Sequence, residues 1–143
     1  MRSIITLTAA LAGCAAQVPT PTLCDMPPSF ASWIGAQVKW TGVVIGEPHH
    51  GYVLACEHHR SGIRIHWNEQ TVGARTLQHG LDRTFLRHGF LRITVEGRLG
   101  RSYGPGQYGL RQDPPVLRIS AVRSAEWVPM TEREVFDFLN RTR

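Results

Sequence analysis

Seven histidines and three cysteines give this 143-residue chain its widest chemical options. His49-His50 and His58-His59 are adjacent pairs that invite a metal, and Cys56 with His66 has the composition of a nucleophile and its base. Spacing argues against both readings. Tyr52 to Glu57 alternates as a strand, so the two histidine pairs lie at its opposite ends, nine residues apart, or about 30 Å at 3.3 Å per residue. They cannot share a coordination shell. Neighbours within a pair point to opposite faces of a strand, and neither His-Glu-x-x-His nor another zinc spacing occurs. Solvated loop histidines are the expectation. Cys56 and His66 come near one another through a turn at Ser61-Gly62, but a nucleophile and base need a third group to orient them, and none is evident. There is also no Gly-x-Ser-x-Gly elbow, phosphate-cradling glycine loop or suitably spaced carboxylate pair. The chain is expected to be non-enzymatic, with no metal and no cofactor.

Binding chemistry is better represented. Tyr52, Arg64, His66 and Trp67 form one set, and Arg101, Tyr103, Tyr108 and Arg111 a second, within a glycine- and proline-rich stretch from Gly100 to Pro115. Aromatic rings interleaved with guanidinium groups suit stacking on bases or sugars and pairing with phosphates or other anions. The alternative is that Tyr52 and Trp67 are core or barrel-rim residues and that the loop tyrosines only pack their turn. The formal net charge is +5 at pH 7, and Lys39 is the only lysine among sixteen basic residues. That balance permits attraction to anionic headgroups, lipopolysaccharide, acidic polymers or nucleic acid. An arginine-rich composition with no such partner would give the same balance.

The elements that must position these residues follow from hydrophobic periodicity. Gln37 to Gly46 reads as a long strand, with Gly42 a candidate bulge or bend. Tyr52 to Glu57 is a second strand and Ile63 to Trp67 a third. Leu77, Leu81, Phe85 and Leu86 then recur at helical spacing, with Gly89 as the expected stop. Phe90 to Leu99 and Val116 to Arg123 alternate again as strands. Thr131-Glu132-Arg133-Glu134 is a capping box ahead of Val135, Phe136, Phe138 and Leu139, so a final helix should lay its apolar face on the domain. The order strand, strand, strand, helix, strand, strand over residues 34–123 resembles an OB-fold. The implied class is all-β with one or two helices: a small five-stranded Greek-key barrel, a helix between strands 3 and 4, and a C-terminal capping helix. A different small barrel, or a sandwich with an inserted helix, is the alternative. OB-folds bind along strands two and three and through the loops after strands one and four, which is where both aromatic and arginine sets fall.

The N-terminus supplies an address. Arg2 precedes an apolar run from Ile4 to Ala12, nine residues long, against the roughly 20 that a helix needs to cross a bilayer. It is therefore a signal h-region rather than a permanent span. Leu11-Ala12-Gly13-Cys14 resembles the lipobox of bacterial lipoproteins at all four positions. The resemblance implies cleavage before Cys14, a diacylglycerol on its sulfur and a further acyl chain on its new amino group, together a stable anchor. Ala15 and Ala16 after the cysteine resemble an outer-membrane sorting signal. An ordinary secretory peptide cut nearby is the alternative. The expected organisation is a signal peptide at 1–13, a proline-rich tether at 14–33 and the barrel domain at 34–143. With Cys14 acylated, Cys24 and Cys56 remain as a pair in an oxidising compartment. Two free thiols, with Cys56 a small core residue, is the other reading. The expected protein is a lipid-anchored module of the cell envelope, facing the periplasm, with a protein or envelope-polymer partner. Nucleic acid is the partner less favoured outside the cytoplasm.

Overall fold

A computed structural model describes residues 22–25, 31–47, 51–57, 62–84, 88–101 and 115–141. Strands β1 (Gln37–Glu47), β2 (Gly51–Ala55), β3 (Gly62–His66), β4 (Gly89–Arg101) and β5 (Pro115–Pro129) close into a barrel in the order β1-β2-β3-β5-β4. Helix α1 (Ala74–Thr84) connects β3 to β4, and α2 (Glu132–Arg141) follows β5. Only β3 and β5 run parallel; the other four neighbouring pairs are antiparallel. This is the OB-like Greek-key arrangement expected from the order of elements.

Alternation explains the core. Ile63 and Ile65 of β3, Leu91, Ile93, Val95 and Leu99 of β4, and Leu117 and Ile119 of β5 point inward with Val38, Trp40 and Val44 of β1. Leu77 and Leu81, one helical turn apart on α1, are buried in the same cluster. The turn before α1 is fixed by buried Thr71, whose hydroxyl donates to the Ile119 carbonyl at 3.0 Å. At the helix end the Thr84 hydroxyl donates to the Leu81 carbonyl at 2.7 Å, satisfying one of the carbonyls a terminus leaves open. Gly89, expected as the helix stop, is instead the first residue of β4. Its φ of +152° and the Val128 carbonyl, which occupies the space a Cβ would need, require glycine there. Phe85 and Leu86 lie outside the described residues.

Two other glycine and strand expectations change. Gly42 makes no bulge: β1 pairs with β4 in one unbroken register from Gln37↔Arg98 to Val44↔Leu91. A Cβ at Gly42 would lie 2.6 Å from the Ala55 carbonyl and 2.7 Å from Leu23, so the glycine serves close approach. The register shifts fall in the β4–β5 ladder, where Ser120 and Arg123 of β5 have no β4 partner. The freed Ser120 carbonyl accepts from Val72 N at 3.0 Å, and Val122 N donates to the Val72 carbonyl at 2.7 Å. Strand β5 runs to Pro129 rather than ending near Arg123. The second bulge leaves Arg123 and Ser124 both exposed, and that loss of alternation reads in sequence as a strand end.

Outside the barrel, Val43, Ala55 and Phe90 form an apolar patch that α2 covers with Phe138. The Phe90 and Phe138 rings lie 4.4 Å apart, and Val135 packs at the margin. Phe136 is mostly exposed, because two helical residues of separation place it about 200° around the axis from Phe138. The capping box forms as expected: Thr131 N donates to Glu134 Oε2 at 2.7 Å and Glu134 N donates to Thr131 Oγ1 at 3.3 Å. The Thr131 N–H, together with the Thr131 hydroxyl, which donates to the same Oε2 at 2.9 Å, holds the Glu134 carboxyl below the usual carboxylate range. Thr131→Ala should lower unfolding free energy by about 1 kcal/mol, read as a shifted urea midpoint with unchanged slope.

A disulfide joins Cys24 to Cys56, 32 residues apart. Beside it Leu23 is buried in the main core, so the proline-rich segment expected at 14–33 is stapled to the barrel at Leu23 and Cys24. Trp33, in a short 3-10 turn (Ala31–Trp33), packs on the same core. Residues 1–21, which include Leu11-Ala12-Gly13-Cys14, lie outside the described residues.

Candidate functional site

Strand β3 carries two of the residues singled out by type, Arg64 and His66, with Trp67 just after it and Tyr52 opposite on β2, and the pleat divides the four. Ile63 and Ile65 face inward, so Arg64 and His66 must face outward. Tyr52 sits opposite Ile65 across the β2–β3 ladder and shares its inward side. Trp67 follows at the strand end, and its ring meets that of Tyr52 at 5.4 Å between centroids, tilted by 49°. Both pack on the main core. Tyr52 and Trp67 are thus barrel-rim residues, while Arg64 and His66 belong to the outer wall.

The outer wall gathers cations that are distant in sequence. Through the parallel β3–β5 pairing His66 lies opposite Arg118, and through the antiparallel β5–β4 pairing Arg118 lies opposite Arg98. His66, Arg118 and Arg98 therefore form one transverse row over two strand spacings, roughly 10 Å. Arg64 stands two residues from His66 on β3, and Arg101 ends β4. Gly100 leaves room for the Arg118 guanidinium, whose Cζ lies 3.7 Å from where a Cβ would be. Arg118 Nη2 donates to the Arg101 carbonyl at 3.2 Å. The side chain thereby leans across β4 toward Arg101.

The carboxylates of the barrel wall are used elsewhere. Glu96 pairs with Arg123 at 2.8 Å and with Lys39 at 3.7 Å. Glu57 receives Arg92 Nε and, at 3.1 Å, Arg92 Nη2, while Glu126 lies 3.8 Å from Arg92 Nη1. The Arg123 contact holds the Glu96 carboxyl below its ordinary range. No ion pair among the described residues includes Arg64, His66, Arg98 or Arg101. Like charges directly opposite one another on neighbouring strands are destabilising. Arg98 and Arg118 are directly opposed in this way. His66 reports the same field: partial burial, then Arg64 and Arg118, push its pKa below the ordinary histidine value.

The remaining sequence candidates fall as follows. Cys56 and His66 are not near one another: the β2–β3 register sets Ala55 opposite Gly62 and Tyr52 opposite Ile65, so they sit beyond opposite ends of the ladder. That is about five residues of strand, roughly 16 Å, and Cys56 is consumed by the disulfide. Tyr103, Tyr108 and Arg111, with His49, His50, His58 and His59, lie outside the described residues. Among the described residues, no group of three or more His, Cys, Asp or Glu side chains could hold a metal ion. Arg98 and Arg118 were visible in sequence only as polar positions of alternating strands. Their meeting depends on the non-local β3–β5 register, which no local pattern encodes.

No protein-family model, curated protein or solved structure matches this chain.

Proposed function

We propose that this chain is a non-enzymatic, lipid-anchored module of the bacterial cell envelope that holds a phosphate-bearing envelope polymer on the outer wall of β3, β5 and β4. The transverse row of His66, Arg118 and Arg98, flanked by Arg64, carries this reading. Arginine presents a planar fork of donors that matches phosphate and carboxylate geometry. Several arginines on a sheet face tolerate variation in the polymer they track, because charge and spacing, not base edges, set the fit. Leu11-Ala12-Gly13-Cys14 supports the anchor, and the envelope location favours an envelope polymer over nucleic acid.

Lipopolysaccharide with and without its phosphates is the direct probe. Soluble protein with Cys14 replaced by Ser is expected to bind the phosphorylated form, and affinity should fall steeply as salt rises. Arg98→Glu or Arg64→Glu, with thermal unfolding checked to be unchanged, should weaken binding at least tenfold and flatten the salt dependence. Binding that ignores both salt and dephosphorylation overturns the reading. Tighter binding of a single-stranded oligonucleotide than of lipopolysaccharide would reassign the polymer.

The pH dependence has a defined sign. Arg64 on β3 and Arg118 on β5 face His66, and the β2–β3 register continues to uncharged Gly51. An anion raises the depressed His66 pKa, so binding takes up a proton. The gain is complete below the free-state pKa and vanishes above the bound-state pKa. Affinity should therefore rise as pH falls through and below the ordinary histidine value, and His66→Gln should abolish that rise.

A further inference from the structure

An open recess lies where β3 passes into α1. Its volume is about 680 Å³ and it is lined by Trp67, Asn68, Glu69, Ala74, Arg75 and Gln78. That volume is within the range of small-ligand sites, which run from about 300 to 1,000 Å³. We propose that this recess is a binding site for an uncharged sugar ring of a glycan, stacked on Trp67 and hydrogen-bonded by Asn68, Glu69, Arg75 and Gln78.

The chemistry of the lining points to that class. A pyranose has a face of C–H groups that packs on an indole and an equatorial rim of hydroxyls that both donate and accept. Trp67 supplies the ring. Asn68 and Gln78 carry amides able to do both, Glu69 accepts and Arg75 donates. Glu69 and Arg75 bring one charge of each sign, so the recess lacks the one-signed field of the outer wall and does not select for phosphate. Ala74, the small residue of the lining, keeps the space open.

The site is also preformed. Trp67 is seated between the core and Tyr52, with ring centroids 5.4 Å apart. Asn68 Oδ1 accepts from Gln70 N at 2.9 Å, which turns its NH₂ group outward from the turn. Asn68 N donates to Thr71 Oγ1 at 3.2 Å and Thr71 N to the Asn68 carbonyl at 3.1 Å. Thr71 is itself buried and bonded to Ile119. Gln78 Nε2 donates to Asp82 Oδ1 at 3.0 Å, which orients the amide and leaves Oε1 as an acceptor. The two bonds between Val72 and the bulged part of β5 fasten the same turn to the barrel wall. The Trp67 ring, the turn and the Gln78 amide are then ordered before binding, while the exposed Glu69 and Arg75 side chains order with the ligand.

The test is calorimetric titration of soluble protein, with Cys14 replaced by Ser, against uncharged tetrasaccharides of N-acetylglucosamine, glucose, galactose and mannose. At least one should bind with a dissociation constant in the millimolar range or tighter, with no loss between low and high salt. Trp67→Ala should abolish that binding, and Gln78→Ala, at an exposed position, should weaken it at least fivefold without changing thermal unfolding. Arg98→Glu should leave it unchanged. Absence of binding by all four sugars, or binding indifferent to Gln78→Ala and Trp67→Ala, overturns the proposal. Because the sugars carry no charge, their failure leaves the anionic-polymer reading of the outer wall standing, and the reverse also holds.

Discussion

Breaking the Cys24–Cys56 bridge should cost about 3 to 4 kcal/mol of stability, the chain-entropy value for a loop of this length. The loop spans 32 residues and encloses β1 and β2, so its opening frees much of the unfolded chain. The native side suffers as well. Leu23 sits buried next to the bonded Cys24 and occupies the space left by Gly42. Without the covalent link its short segment must hold itself in place against its own conformational entropy. A double Cys24→Ala, Cys56→Ala variant, which avoids stray pairing with Cys14, should therefore shift the urea midpoint strongly downward. Reductant should do the same to the unsubstituted protein and nothing to the variant. Equal midpoints for the two proteins without reductant would remove the bridge from the account of stability.

Cys14→Ser should have the largest effect on location. On the proposed reading two or more acyl chains are attached through Cys14, each buried CH₂ contributing about 0.8 kcal/mol, whereas one myristoyl chain alone gives only reversible binding near 10⁴ M⁻¹. Loss of the acceptor sulfur removes the whole of that affinity at once. Nothing among the described helices substitutes for it, because none is long and apolar enough to cross a membrane. Incorporation of labelled palmitate should drop to background, and the protein should leave the membrane pellet. Unchanged labelling and sedimentation would sink the lipoprotein reading.

How far the sequence reached depends on the range of the interaction in question. Strand β3 and the inner face of β4 were legible because Ile63, Ile65, Leu91, Ile93 and Val95 alternate without interruption, and Thr131 with Glu134 announced α2 within four residues. Errors began where local pattern and tertiary pairing diverge. Ser120 and Arg123 each have no β4 partner, so the alternation of β5 slips and its last six residues looked like a loop. Gly42 and Gly89 were correctly seen as special, but their neighbours, the Ala55 and Val128 carbonyls, come from other elements. The candidate site suffered from the same limit. The OB-fold resemblance grouped Tyr52, Arg64, His66 and Trp67 as residues of strands two and three, whereas the pleat sends two inward and two outward. Arg98 and Arg118, which complete the charged row, lie 32 and 52 positions beyond His66 and join it only through barrel closure.

The pinning of Leu23 and Cys24 to the barrel also sets a leash. With Cys14 seated at a lipid surface, ten residues of chain separate the membrane from the first covalent fixture of the domain, and a fully extended chain covers at most about 3.6 Å per residue. On the proposed anchor the barrel would rise no more than about 35 Å above the bilayer. Its partners would then have to come to that thin layer, and the proposed binding faces would work at the high effective concentration of a confined volume. A weak site, of the kind an uncharged sugar or a few phosphates would fill, becomes sufficient when both partners are held in the same sheet of space.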